Sequence, residues 1–467
     1  MRRFWSGEGG AREVLVISYP LILSHMSFTI QTFVDRIFLT WYSSEAIAGS
    51  MTALFVAWVV MGLFLGTGEY VVTFVAQYTG AGRPERIGPA VWQGIYFAIL
   101  AGLSLAALGP LVGPVFSLAG HAPAVRACEV TYASIIIYGA CPTVMMATLS
   151  TFFSGRGETL TVLAVNLLVT AVNVVLDYLW IFGHAGFPRA GVAGAALATV
   201  ASQAVGAGVF FGIMMRSTYR TRFATLAGRA LDWSLFRRLL RYGLPNGLQY
   251  TGEIFAFAIF MVLVGRIGTD ELAASSLAFN LNMLVFMPMI GMGVGVSSLV
   301  GRYLGANRPE IAERSTWSAF RMSMLYMTLC GAAYVFAPRL LLSPYAAGAD
   351  AASFARLEPI AIVLLKFVAL YSIFDMMNLI FASGLKGAGD TVYPLGLSVF
   401  LSWVAMLIPA YIACVRMGGG VLIAWTAASA YIILLGLLIV HRFRKGRWKS
   451  LRVIEPHGGE IGEAAAS

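Results

Sequence analysis

The chain has 467 residues, 59% of them hydrophobic and 12% charged, with a mean hydropathy of +0.79. A soluble domain carries about 25% charged residues, and apolar runs of 20 or more recur along this whole chain, which excludes a large water-soluble globule. The net charge of +10 does not indicate nucleic acid, because the basic residues sit between the apolar runs, as topology signals do.

A polar stretch at 1–12, with Arg2, Arg3 and Arg12, opens the chain. The run that follows is too long for the apolar region of a cleavable signal. Twelve apolar spans are expected, at 13–41, 46–79, 88–118, 125–153, 159–183, 190–215, 243–267, 271–303, 315–341, 353–384, 391–415 and 419–441. Several exceed the roughly 20 residues a crossing needs, so those helices are expected to tilt. Cys128, Cys141, Cys330 and Cys414 lie in or beside spans without paired spacing, so they read as small core residues rather than a disulfide or metal framework.

Loop charges set an orientation. The loops on the side of both chain ends hold 23 Lys and Arg, and the opposite loops hold 6. Both termini are therefore expected in the cytoplasm of a multi-pass protein of the cell membrane. The expected division is a head at 1–12, a first lobe at 13–215, a basic linker at 216–241, a second lobe at 242–441 and a tail at 442–467. The tail starts basic, suited to anionic headgroups, and ends small and polar, which reads as disordered.

The chain contains one stretch twice. Shifted by 225 positions, Pro20 falls on Pro245, Gly66 on Gly291 and Tyr78 on Tyr303. Gly80-Ala81 falls on Gly305-Ala306, and Arg83-Pro84-Glu85 on Arg308-Pro309-Glu310. A shorter echo places Gly155-Arg-Gly-Glu-Thr159 on Gly387-Ala-Gly-Asp-Thr391. Six spans return the chain to its starting side, so the halves are parallel repeats related by an axis along the membrane normal. The architecture expected is all-α, twelve transmembrane helices in two six-helix repeats. Pro20 and Pro245 each remove a backbone hydrogen bond inside a span and mark sites of helix kinking.

Five acids stand well inside spans: Asp35, Glu69, Asp177, Glu253 and Asp375. Each costs roughly 2.5–3.5 kcal/mol at a helix centre facing lipid, so each is expected to face a cavity or a partner. Asn173 and Asp177 are four apart, Gln249 and Glu253 four apart, and Asp375 and Asn378 three apart, each pair on one helix face. An acid beside an amide suits Na⁺ or H⁺. It does not suit a transition metal, since no His or Cys joins it. Tyr250, Phe257, Met283 and Met287 are weaker candidates for an adaptable apolar cavity lining. No His-Glu-x-x-His pair, nucleophile elbow or ATP-binding Gly-x-x-x-x-Gly-Lys-Ser/Thr loop occurs, which argues against an enzyme and against a self-contained ATP-driven pump.

Several motifs in register resemble the multidrug and toxic-compound extrusion (MATE) family over nearly the full length. They are Pro20 with Phe33-Val-Asp-Arg-Ile-Phe38, Gln77-Tyr-Thr-Gly-Ala-Gly82, Gly155-Arg-Gly-Glu-Thr159, Asn173-Val-Val-Leu-Asp-Tyr-Leu-Trp-Ile-Phe-Gly183, Gly191-Val-Ala-Gly-Ala-Ala-Leu-Ala-Thr199 and Gly384-Leu-Lys-Gly-Ala-Gly-Asp-Thr391. The resemblance implies two lobes in a V around a central cavity. It also implies antiport of drug-like, mostly cationic compounds against Na⁺ or H⁺, with no other cofactor. Asp35, Asn173 and Asp177 match the first-lobe cation site of the DinF-like branch, and Glu253 and Asp375 the second-lobe acids of the NorM-like branch, where Asn378 is often Gln. Gln249 stands one turn before Glu253. Arg36 departs from the pattern and is placed to pair with Asp35, and Glu69 falls outside the pattern. The partners expected are organic cations, the coupling cation and membrane lipids, with the chain acting as a monomer. A flippase for lipid-linked precursors is the alternative on this fold. Acidic rather than basic intramembrane charge favours the exporter, and Asp35 with its partners on the fifth helix is the favoured ion site.

Overall fold

The computed structural model describes residues 5–346, 351–416 and 418–456. Arg2 and Arg3, and the end of the tail from 457 that reads as disordered, lie outside the described residues. Among the described residues every regular element is helical. Among the described residues eleven helices are long and apolar enough to cross a membrane. They are α1 (Ala11–Tyr42), α2 (Ser44–Gly80), α3 (Pro84–Leu118), α5 (Thr159–Phe182), α6 (Val192–Met214), α7 (Trp233–Gly265), α8 (Thr269–Gly305), α9 (Pro309–Phe336), α10 (Phe354–Ala388), α11 (Val392–Arg416) and α12 (Val421–Arg444). The remaining span, α4, is a pair, Pro123–Tyr138 and Ala140–Ser154, bent by 49°. The twelve-span architecture read from the sequence is therefore the one observed.

Local chemistry explains the ends. The Ser43 hydroxyl accepts from the Ala46 N–H at 3.0 Å and opens α2, while Asp232 accepts from the Leu235 N–H at 3.1 Å and opens α7. Pro84 and Pro309 stand in the first turns of α3 and α9, where no N–H is needed. The two Gly-x-Gly loops turn alike, with Gly157 at φ 83° and Gly389 at φ 108°, a region that disfavours side chains. Pro20 and Pro245 both lie inside continuous helices. The Arg156 guanidinium lies over Phe152, at 3.8 Å from the ring centroid, with Phe223 and Tyr219 at 4.4 and 4.7 Å. Cation–π attraction ties the loop after α4 to the segment after α6. That segment is not bare linker: it carries a short helix, Ser217–Arg222, and α7 begins at Trp233.

Each lobe has its own apolar core. The cores do not respect the midpoint of the sequence. Val14 and Ile17 of α1 pack in the second lobe's core, and Leu235, Phe236 and Leu239 of α7 pack in the first's. Leu239 is Val14 shifted by the repeat, so the crossing is itself pseudo-symmetric.

The lobes meet along the halves of these helices nearest the face that carries the basic loops, here termed the basic face. Backbones touch there. A Cβ on Gly80 would stand 1.7 Å from the Arg302 carbonyl oxygen, and one on Gly305 would stand 2.0 Å from that of Gln77. This explains why both copies of the repeat keep a glycine at that point: only a missing side chain lets the two helices approach. The Ser298 hydroxyl donates to the Ser154 carbonyl at 2.9 Å and Asn246 Nδ2 to that of Gly66 at 2.7 Å, closing the seam.

Candidate functional site

Three groups of intramembrane charge emerge. The first joins α1 and α5, which pack along their length, with the Thr170 hydroxyl donating to the Ser27 carbonyl at 3.4 Å. Asp35 is 7% exposed, and Asn173 and Asp177 are fully buried. The two carboxyls are near enough to act on each other electrostatically, and Tyr132 of α4 lies in range of both. Asp35 Oδ1, both oxygens of Asp177 and both Nδ2 and Oδ1 of Asn173 are buried without a hydrogen-bond partner. Buried polar atoms are nearly always paired, so these five unpartnered atoms mark the group as able to take up a proton or a cation. Four of the five are oxygens, the donor set of a small hard cation, and either carboxyl also accepts a proton. Arg36 forms no ion pair with Asp35 among the described residues. Neighbours in a helix point about 100° apart, so Arg36 acts on Asp35 through its charge and not through a direct contact.

The second group joins α7, α10, α11 and α12. Gln249 Nε2 donates to Glu253 Oε1 at 2.9 Å, and the Ser398 hydroxyl donates to the same oxygen at 3.0 Å. Tyr431 stands 3.5 Å from Ser398, oxygen to oxygen, within electrostatic range of Glu253 and Asp375. Asp375 in turn senses Glu253. Gln249 Oε1 and Asn378 Oδ1 remain unpartnered. A π-helical stretch, Ser402–Leu407, follows Ser398 on α11, a local widening often found beside functional sites.

The third group lies between the lobes. Glu69, at the break in α2 before Tyr70, is in electrostatic range of Lys386 on α10, and Lys386 also senses Glu253. The Tyr70 hydroxyl donates to the Lys386 carbonyl at 2.8 Å. Tyr250 bridges the two acids electrostatically and packs on Gly62 across the seam. Sequence reading ends the tenth span before Lys386. The helix runs to Ala388 and carries the ammonium into the acidic region. A charge immediately beyond a span end was the one signal available. Tyr132, Ser398 and Tyr431 were equally missed, having no spacing signature.

The apolar candidates separate. Phe257 packs edge-on against Phe279, with centroids 4.5 Å apart, and Phe279 stacks on the fully buried Trp425. Phe257 is thus tied into a packed aromatic stack. Met283 and Tyr250 are exposed, at 54% and 40%, and Met287 is half-buried.

The MatE family model matches residues 20–179 and 245–412, one match in each half of the chain. The chain is 26% identical over 448 residues to "Probable multidrug resistance protein NorM" of Thermotoga maritima, covering 95% of this chain and 94% of that one. It is 27% identical over 443 residues to the protein of the same name from Brucella suis, covering 93% of each. In structure it resembles the Pyrococcus furiosus protein described as "Reverse polarity of binding pocket suggests different function of a MOP superfamily transporter", with a TM-score of 0.85, 20% identity and coverage of 94% and 96%. It is similar as well to the "Outward-facing conformation of a multidrug resistance MATE family transporter of the MOP superfamily", with a TM-score of 0.85, 19% identity and coverage of 96% and 98%. Two family matches that fall on the two repeats, joined to a twelve-span helical fold, leave one conclusion: the chain is a multi-pass membrane protein and belongs to the MatE family, a family of transporters rather than enzymes.

Proposed function

We propose that the protein is a secondary antiporter, exporting amphipathic and mostly cationic organic compounds in exchange for Na⁺ or H⁺. It works as a monomer in the cell membrane, with both termini and the basic face in the cytoplasm. The observation that carries this reading is the set of five unpartnered polar atoms on Asp35, Asn173 and Asp177. A buried acid pair is costly, and a coupling cation lowers that cost whenever it binds. The second lobe's Glu253 and Asp375, with Gln249 and Asn378, then offer negative charge to a cationic cargo, with Tyr250, Met283 and Met287 as its apolar contacts.

The acid pair ties cation binding to the arrangement of α1 against α5, and α1 also packs in the second lobe's core. Cation binding thereby biases how the lobes sit, and linkage requires cargo and cation to weaken each other equally. The names of the relatives, multidrug resistance proteins, support the choice of cargo.

The deciding experiment uses the purified chain in sealed vesicles, with Na⁺ and pH gradients imposed separately and tetraphenylphosphonium as the cargo. Accumulation driven by one gradient, lost in Asp177→Asn, is the expected result. Movement of a lipid-linked phosphate with no movement of the organic cation would reject the reading.

A further inference from the structure

On the basic face, two acid-bearing segments cross from one lobe to the other. Ahead of α1, Glu8 forms a two-pronged pair with Arg308 at 2.7 and 2.5 Å. In the first turn of α1, Glu13 accepts from the Tyr303 hydroxyl at 2.8 and 2.7 Å and from Arg302 at 2.5 Å. Arg302, Tyr303 and Arg308 all belong to the second half. The tail after α12 does the reverse. Glu455 accepts from Tyr78 at 2.8 Å, Arg83 at 2.6 Å, Arg86 at 3.1 Å and Arg238 at 2.6 Å. The Val453 N–H donates to Gln77 Oε1 at 2.9 Å, and its side chain is buried in the first lobe's core.

The repeat shows what the tail is for. Tyr78 and Arg83 are the counterparts of Tyr303 and Arg308. In the second half those two donors are met by Glu13 and Glu8. The counterpart of Glu13, however, is Arg238, a guanidinium that cannot accept from either donor. Left so, Asp232 would meet Arg86 at 3.2 Å, and Arg83 and Arg238 would face that cluster without an acid of their own. The tail brings Glu455 into that gap, where it restores the tyrosine–carboxylate contact found in the other half and pairs with three guanidiniums at once. The two sites are equivalent by geometry and are filled from opposite ends of the fold.

We propose that these two contacts are the halves of a latch that holds the basic face shut, and that both must release before the lobes part on that face, an inference that rests on the transport function proposed above. Each acid sits on a segment that leaves one lobe and docks on the other, with Val14 and Val453 buried in the core of the lobe that their acids bond to, so parting the lobes at this face pulls on both segments at once. The packing of α1 and α7 into opposite cores makes the seam continuous beneath them. The latch is independent of which cargo or ion is carried.

The test reads distance rather than transport. In the full chain, with its four native cysteines replaced, nitroxide labels are placed at Glu85 and Glu310. These are equivalent exposed positions after the two Arg-Pro pairs, and neither takes part in the latch. Electron–electron distance distributions are recorded in lipid nanodiscs. The parent is expected to show a dominant short separation with a minor longer one. Glu13→Gln combined with Glu455→Gln, and separately a chain ending at Arg452, are each expected to show a second, longer separation at several times the parent's level. A third arm guards against misfolding. Glu8 and Arg308 are both exposed, so Glu8→Arg is expected to populate the long separation and Glu8→Arg with Arg308→Glu to restore the short one. An unchanged distribution in the charge-stripped and shortened chains, or in the Glu8→Arg arm, overturns the proposal.

Discussion

Gln249 and Glu253, one helical turn apart on α7, are joined by a hydrogen bond of 2.9 Å. The bond orients the carboxylate toward Ser398 and leaves the Gln249 carbonyl oxygen unpartnered. Asp177, also one turn from an amide, shows the opposite state: both its oxygens and both polar atoms of Asn173 lack partners. The same spacing of acid and amide therefore gives a satisfied carboxylate in one lobe and an unsatisfied one in the other. An ion gains most where donors are otherwise unpaired, and the first lobe is where that condition holds.

Asp35→Asn and Asp177→Asn are each expected to abolish gradient-driven uptake in vesicles while organic-cation binding stays within a few-fold of the parent. Losing one charged contact to a bound ion costs about 2 kcal/mol, roughly thirtyfold in ion affinity. Glu253→Gln is expected to do the reverse, raising KM for cationic cargo while coupling persists. Retained coupling in both first-lobe variants would move the ion site to the second lobe.

Lys386 stands in electrostatic range of Glu69 and Glu253. Lys386→Met removes the only positive charge placed among those acids by the contacts described above. Affinity for a monovalent organic cation is expected to rise several-fold, and affinity for a neutral analogue of the same shape to stay unchanged. Isothermal titration of the two ligands separates the electrostatic effect from a change of cavity shape.

Gly80→Ala and Gly305→Ala each place a methyl carbon inside contact distance of a backbone carbonyl across the seam. Backbone cannot swing aside as a side chain can, so the lobes must part locally, at a cost of roughly 1–3 kcal/mol. Each variant is expected to melt several degrees below the parent in detergent. The double variant is expected to fall short of the sum, because one displacement relieves both clashes.

Glu455 is partly buried, which alone would raise its pKa. Hydrogen bonds from its own backbone, Tyr78 and Arg238, with the charge of Arg238, overcome that and hold it at about 2. A depressed carboxylate contributes stability that is present above its unfolded pKa of about 4.3 and is lost as pH falls toward the folded value. The difference in Tm between the parent and Glu455→Gln is therefore expected to be constant from pH 7 to about 5 and to shrink below about 4. A difference that disappears between pH 7 and 6 would contradict this contact.

Much of the fold is legible in the sequence because the bilayer imposes a simple rule. Each crossing needs a long apolar run, and charge gathers where the chain returns to water, so spans, repeats and the basic face follow from residue order alone. Helical spacing likewise places Asn173 with Asp177 and Gln249 with Glu253. Only the tertiary structure decided which of these pairs is satisfied, since that depends on Ser398 and Tyr431 from helices far along the chain. It alone set Lys386 among the acids, left Arg36 in electrostatic range of Asp35 without a direct ion pair, and tied Phe257 into the stack on Trp425. The shared Tyr and Arg-Pro-Glu positions of the two repeats are visible by alignment, whereas the acids that meet them arrive from outside the repeat, at Glu8, Glu13 and Glu455. Periodicity reports which side of a helix a residue occupies, and it is silent on what a distant segment brings to that side.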